Sequence, residues 1–482
     1  MKRRKALQHL GLGLSGGILL PSLLDSCSKN DPAPEFVYTG TVAVVGAGAA
    51  GLYVADILRT KGVKVNLYEA RDQIGGRVRS LRNQPIEKYP MAPQLSSDFP
   101  IELGAETIIG SDTIFGKIYK DYNLQTTEYL PASSHYILEN QAKSESEWGT
   151  DPDFVAAKNF RANLKNNSGS SQSVQQAIVS AGINSRAYGM LNGTIGNAYG
   201  ANNEQIGIGE LAEEEKIRVS DGKLLALTSN PMQDAIISRF SNVQLSVKLN
   251  TPITAINYAS DPIILTAKDG TTYEANKVIV TVPVSMLKNN SISFTPGLPA
   301  SMTGSLAKLG MGASMRAVLE FKKNFWGETA GFIFGSSNMP EYFSMGLGRS
   351  KLNTTLSVTV SGNKAVQYSA LGDGVIDAIL ADLDLIYAGQ GSLLIRQDIA
   401  TLKNIFVRED WTKIDYILGG YSYPLPGASM ADRKAIGQPV NSKLFFAGEA
   451  TDVSGMAGMV NGALASGERA AQEVIDAIKA GL

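Results

Sequence analysis

The sequence predicts an α/β protein that opens in a Rossmann-type dinucleotide-binding domain, and three features carry that prediction. Thr41-Val42-Ala43-Val44-Val45 is a continuous apolar, β-branched run, as expected of a strand buried on both faces of a parallel sheet. It leads straight into Gly46-Ala47-Gly48-Ala49-Ala50-Gly51 and then a helical pattern from Leu52 to Thr60. A second strand, Val63 to Tyr68, ends at Glu69, 18 residues past Gly51, where a carboxylate can accept both hydroxyls of an adenosine ribose. Gly46 permits the tight turn, Gly48 lets a pyrophosphate approach the backbone, and Gly51 lets helix pack on strand, with the anion at the helix N-terminus.

Composition narrows the chemistry. The chain has 482 residues, 44 Lys+Arg against 45 Asp+Glu, two His and one Cys, a length for about two or three domains. A single cysteine excludes a disulfide framework, a thiolate zinc site and a CxxC redox centre. The histidines are His9 and His135, so a Ser-His-Asp triad or a two-histidine metal site has at most one candidate beyond the leader, and no metal is expected. A net charge of −1 with 18% charged residues offers no basic surface, and no nucleic-acid partner is expected. Glycine is abundant, 49 residues, or about 10% against an average near 7%.

In chain order, residues 1–26 read as an export leader. Lys2 to Lys5 are basic, and Ala6 to Leu24 are apolar but broken by glycines and Pro21, too short and glycine-rich for a membrane span of ~20 apolar residues. Arg3-Arg4-Lys5-Ala6-Leu7 resembles a twin-arginine signal, with alanine where that motif usually has phenylalanine. Leu24-Asp25-Ser26-Cys27 resembles a lipoprotein processing site, which implies a lipid anchor at Cys27 and a periplasmic or cell-envelope location. Residues 27–39, with two prolines, form a tether.

After Glu69 comes Ala70-Arg71-Asp72-Gln73-Ile74-Gly75-Gly76-Arg77-Val78-Arg79. The glycine pair lets a loop pass beside a cofactor, and Arg77 can meet a diphosphate bidentately. The pattern E-A-x4-G-G-R resembles the second signature of the FAD-dependent amine oxidase superfamily. The resemblance continues in Thr251-Pro252-Ile253-Thr254-Ala255-Ile256, Lys277 to Pro283, Leu444-Phe445-Phe446-Ala447-Gly448-Glu449 and the helix-like stretch Gly458 to Ala471.

That resemblance implies a Rossmann-type FAD-binding domain of the GR2 type interleaved with an α+β substrate domain. The FAD pieces would be 40–115, 212–287 and 408–482, and the substrate pieces 116–211 and 288–407. FAD would be held by Gly46, Gly48, Ala49, Ala50, Gly51, Glu69, Ala70, Arg71, Gly76, Arg77, Gly104, Ala105, Ile253, Gly448, Glu449, Gly458, Met459 and Val460. Attachment would be non-covalent, because Gly420 stands where monoamine oxidases carry the cysteine that bonds the flavin. Such enzymes pass a hydride equivalent from a carbon next to nitrogen to the flavin, with O2 or another acceptor completing the cycle.

The substrate-side positions come from the same resemblance. Trp411 to Tyr423 resembles the family's W…G-x-Y-S segment, which puts Tyr421 at one wall of an aromatic cage for the amine; the alternative is a core tyrosine on a buried strand. The second cage position is Met459, apolar and adaptable. Arg316 stands at the family's lysine, where it would hold a water or an anionic group near the flavin's reacting edge. In Leu103-Gly104-Ala105-Glu106-Thr107, Thr107 occupies the position where L-amino-acid oxidases place an arginine, which argues against an amino acid held in that way unless Arg316 takes its carboxylate. Glu106 is open to two readings, attraction of a second ammonium or capping of a helix, and His135 is expected in a loop without a substrate role. Met459 and Arg316 also motivate an alternative, a desaturase or C–C dehydrogenase acting on an apolar substrate. A non-catalytic flavoprotein at the cell surface is the third reading.

Overall fold

The computed structural model describes residues 37–82 and 87–482. The export leader, Cys27 and the tether through residue 36 lie outside the described residues.

The apolar run Thr41–Val45 is the middle strand of a five-stranded parallel sheet, in the order Leu444–Phe446, Lys277–Val280, Thr41–Val45, Lys64–Tyr68, Val247–Lys248. Its Val42, Ala43 and Val44 have no solvent exposure, as its unbroken apolar pattern requires. Ala49–Thr60 is the crossover helix that the glycine loop starts. At Gly51 a Cβ would lie 1.9 Å from Gly46 O, so helix and strand approach as only glycine allows. The C-terminal helix Val460–Lys479 crosses the first one at Gly467, where a Cβ would meet Ala50 O at 2.8 Å.

A four-stranded sheet, Thr272–Ala275, Ile263–Ala267, Ile253–Asn257 and Ser293–Thr295, shares a core with the parallel sheet. That core takes in Met302, Leu306 and Leu309, so the packing around the first sheet runs past residue 287.

The second large sheet has seven strands in the order Phe406–Asp410, Ser314–Glu320, Thr355–Ser361, Glu341–Ser344, Phe332–Phe334, His135–Leu138, Gln141–Ser144. Its strands alternate as the period of two demands. Met315, Ala317 and Leu319, with Leu356, Val358 and Val360, pack in one core with residues of helices Gly362–Leu371 and Val375–Ile386. Arg316 and Thr359 point to the other face. His135 begins a strand that pairs with Ile333 on one side and, through a tight hairpin, with Ser144 on the other, which corrects the loop expectation. Helices Pro152–Ala162, Val174–Ser180 and Ile208–Ile217 gather around a further core, and Ser173 with Gln176 forms a capping box at the second of them. Among the described residues no helix is long and apolar enough to cross a membrane.

Candidate active site

A cavity of about 770 Å³ extends from the C-terminal end of the Thr41–Val45 strand to the inner face of the seven-stranded sheet. Every position assigned to FAD or to the substrate lines it except Gly51, whose glycine serves helix packing instead.

At one end the cavity has the shape and chemistry of a dinucleotide cradle. Gly46 takes φ +107, turning the strand into the helix. The helix begins at Gly48 with no side-chain cap, and a Cβ on Gly48 would meet nothing within 4 Å. Its first N–H groups therefore face open space, where an anion is favoured. The second glycine loop closes the cradle: a Cβ on Gly76 would lie 3.3 Å from the Gly48 Cα. Ala47 N–H donates to Glu69 Oε2 at 2.8 Å and Arg71 N–H to Oε1 at 3.0 Å, which fixes the acid at the edge of the cavity. Burial pushes the Glu69 carboxyl up, and those two N–H groups partly offset it. Thr251 N–H donates to Glu69 O at 2.8 Å, placing the Ile253 segment beside the same end. These residues fit FAD.

Between the ends sits Glu449. Its carboxylate accepts from Arg77 Nη1 at 2.9 Å, Ser422 Oγ at 2.6 Å, Ser422 N–H at 3.1 Å and Gly458 N–H at 2.9 Å. Burial raises its pKa, but Arg77 and Arg433 outweigh burial and hold it below the usual range. Arg77 Nη1 also donates to Gly420 O at 2.8 Å. Both residues line the cavity as expected, yet the structure ties them to each other: Glu449 joins three distant segments rather than offering a free carboxylate, and Arg77 spends part of its fork on that joint.

At the other end, alternation along Tyr421-Ser422-Tyr423 separates two roles. Tyr423 packs into the helical core, whereas Tyr421 lines the cavity. Its ring lies between glycines: a Cβ on Gly200 would sit 2.7 Å from it and one on Gly458 3.3 Å. Its hydroxyl donates to Asn197 O at 3.4 Å, and burial pushes its pKa up to about 12. Met459, the N-cap of the uncapped Val460–Lys479 helix, lines the same region.

Arg316 lines the cavity, but the expectation that it would hold an anionic group is corrected. Its Nη1 pairs with Glu106 at 2.6 Å and reaches Glu102 O at 3.3 Å, and Nη2 donates to Thr359 Oγ1 at 3.1 Å. Glu106 also faces Arg349 at 3.7 Å. Arg316 is thus a neutralised member of a buried pair, not a cation awaiting an anion. Glu106 neither caps a helix nor stands free for an ammonium, since both of its oxygens face arginines.

Sequence reasoning missed the wall opposite. Phe332, Phe334, Phe343 and Glu341 line the cavity. Burial pushes Glu341 up to about 7, against the attraction of Arg316. Asn197 Nδ2 donates to it at 3.2 Å. The signal available was the alternation of Phe332-Ile333-Phe334 and Glu341-Tyr342-Phe343 on two sides of a Gly-Ser-Ser-Asn turn, with one acid on an otherwise aromatic face.

Comparison with known proteins agrees with this geometry. A family model described as flavin-containing amine oxidoreductase matches residues 49–179 and 210–475. The chain is 25% identical to human lysine-specific histone demethylase 2, covering 92% of this chain but 54% of that protein. It is 24% identical to polyamine oxidase 4 of Oryza sativa subsp. japonica, over 95% of this chain and 91% of that one. It thus spans about half the length of the demethylase and nearly all of the plant oxidase. Among solved structures, wild-type putrescine oxidase bound to putrescine superposes with a TM-score of 0.74 at 20% identity, over 91% of this chain and 99% of that chain, a likeness of fold.

Proposed function

The chain belongs to the family of flavin-containing amine oxidoreductases, and from that premise we propose that it oxidises the C–N bond of an amine to an imine, which water then hydrolyses, with O2 as electron acceptor. The observation that carries this reading is the single cavity that joins a dinucleotide cradle to a wall of one tyrosine, three phenylalanines and a carboxylate. FAD, when bound, supplies the two-electron acceptor for a hydride from the carbon beside the amine nitrogen. It is held without a covalent bond through cysteine, since the chain's one thiol is at Cys27.

In this reading the Ala49 and Ala50 N–H groups meet the diphosphate, Glu69 the ribose hydroxyls and the Ile253 backbone the adenine. The uncapped start of the Val460–Lys479 helix favours negative charge on the flavin ring. The Tyr421 ring face orients the amine, a contribution of ~0.5–2 kcal/mol. Glu341 favours a substrate bearing a cation over a wholly apolar one. The FAD-side unit would comprise the three separated stretches that build the parallel sheet, and the rest of the chain would carry the substrate wall.

The test is an amine panel with flavin-loaded protein. Hydrogen peroxide with ammonia or an amine co-product supports the reading; flavin-loaded protein that releases neither from any amine overturns it. Export through the twin-arginine route and a lipid at Cys27 rest on the leader sequence alone. Replacing Arg3 and Arg4 by Lys should leave flavin-loaded precursor inside the cell, and unchanged export would reject that route.

A further inference from the structure

We propose that Arg433 is a positioning residue of the amine site: through Ser422 and Glu449 it fixes the backbone on either side of Tyr421 and ahead of Met459, and so sets where the amine lies. This rests on the amine-oxidising reading above and deepens it by naming a residue that acts on the substrate seat through other groups.

Arg433 sits on the helix Met430–Ile436, bulky yet only 1% exposed. A guanidinium is not buried without partners. Its Nε pairs with Glu210 and faces Glu214 at 3.4 Å, and its Nη1 donates to Ser422 Oγ at 2.8 Å and to Ala450 O at 3.3 Å. Glu210 and Glu214 stand four positions apart on the helix Ile208–Ile217, so they share one face. Burial pushes the Glu214 carboxyl up to about 8, and Glu210 adds to it. Two buried acids at that spacing cost stability on their own. What they hold in place is the arginine that reaches from them to Ser422.

From Arg433 the hydrogen bonds run to the site in a fixed direction. Ser422 Oγ accepts from Arg433, so its single proton is left for Glu449, to whose Oε2 it donates at 2.6 Å. The same carboxylate accepts the Ser422 N–H at 3.1 Å and the Gly458 N–H at 2.9 Å. Arg77 meets it from another segment, pairing with Glu449 Oε1 at 2.9 Å and donating to Gly420 O at 2.8 Å. Both chain neighbours of Tyr421, and the residue before Met459, are thereby tied to one ion pair. The Tyr421 ring packs against Gly458, where a Cβ would lie 3.3 Å from it, so a shift at any of these ties moves the ring. Against the pull of burial, Arg77 and Arg433 hold the Glu449 carboxyl below the usual range, which keeps the ties charge-assisted and strong.

A displaced ring costs rate more than it costs binding. Hydride transfer needs the carbon beside the nitrogen at a set distance and angle from its acceptor, and a misplacement of about 1 Å can cost about 100-fold. Arg433 should therefore weigh on the rate at which an amine reduces the flavin, whereas retention of the cofactor rests on the glycine loops and Glu69.

The experiment measures the limiting rate of anaerobic flavin reduction, using the amine that reduces the wild-type flavin fastest in a panel that starts from butylamine, benzylamine and diaminobutane. Wild type is compared with S422A, with E210Q/R433Q, which removes both charges of the pair together, and with the triple variant that combines them. S422A should slow reduction by about 10-fold, the scale of one charge-assisted hydrogen bond, with flavin affinity close to wild type. E210Q/R433Q should slow it to a similar extent, and adding S422A should cost little more, because the two lie on one path. In a Y421A background S422A should cost little, since the ring that it places is gone. Flavin absorbance confirms that each variant is loaded; should E210Q/R433Q fail to load, S422A with and without Y421A decides. Unchanged reduction in S422A, or losses that simply multiply in the combined variants, makes Arg433 a core residue alone and overturns this inference, with amine oxidation left standing. A wild-type flavin that no amine reduces removes both.

Discussion

Two side chains at the substrate end divide the work of recognition from that of architecture. Tyr421 presents its ring to the cavity, so replacing it by Ala should lower kcat/KM for an amine by roughly 3–30-fold, the size of a ring–cation contact, while Y421F should stay within a few fold of wild type. Arg316 belongs to the architecture. Removing its charge with R316M leaves Glu106 buried with only the longer contact to Arg349, which should cost roughly 3–5 kcal/mol in urea unfolding. Pairing R316M with E106Q should return most of that loss; an R316M protein of unchanged stability would contradict the buried pair. Tyr421 was legible because its neighbours form a recognisable segment. The neutralisation of Arg316 was not, because its partner lies 210 positions away and only the sheet brings them together.

At the level of elements, the second and third glycines of the first loop should fail in different ways. A Cβ on Gly51 collides with Gly46 O, so G51A should push the helix off the strand and lower the melting temperature even without cofactor, at a cost of roughly 1–3 kcal/mol or more. Gly48 has an ordinary φ of −75 and open space at its Cβ. G48A should therefore melt like wild type as the flavin-free protein yet bind FAD markedly more weakly, as a titration of flavin fluorescence would show; unchanged affinity would contradict the cradle. The strand, the loop, Glu69 and the last helix were readable from local pattern because each is continuous in sequence. The seven-stranded sheet was not, since it threads strands from residues 135 to 410 through one register. With that register unread, Glu341 had no neighbours, whereas the strand of His135 is half of a local hairpin with Gln141–Ser144.

Across the whole molecule, three separated stretches build one parallel sheet, and the cavity lies between it and the seven-stranded sheet. Burying acids in this part of the protein and beside it has a consequence for stability. Burial raises Glu102 to about 7, Glu214 to about 8 and Glu341 to about 7, all above an unfolded carboxyl near 4.5. The folded protein holds more protons than the unfolded chain between those values, so the stability these groups contribute is complete below about pH 4.5 and is lost as pH rises towards about 8. Flavin-free protein should melt lower at about pH 8 than at about pH 6, and E214Q should flatten that slope; a melting temperature that climbs over this interval would contradict it. The most direct test of the account as a whole is anaerobic mixing of the purified yellow protein with a panel of amines while the flavin's visible absorption is followed. The account predicts that the band bleaches and returns when oxygen is admitted; a flavin-loaded protein whose band stays unchanged with every amine would contradict it.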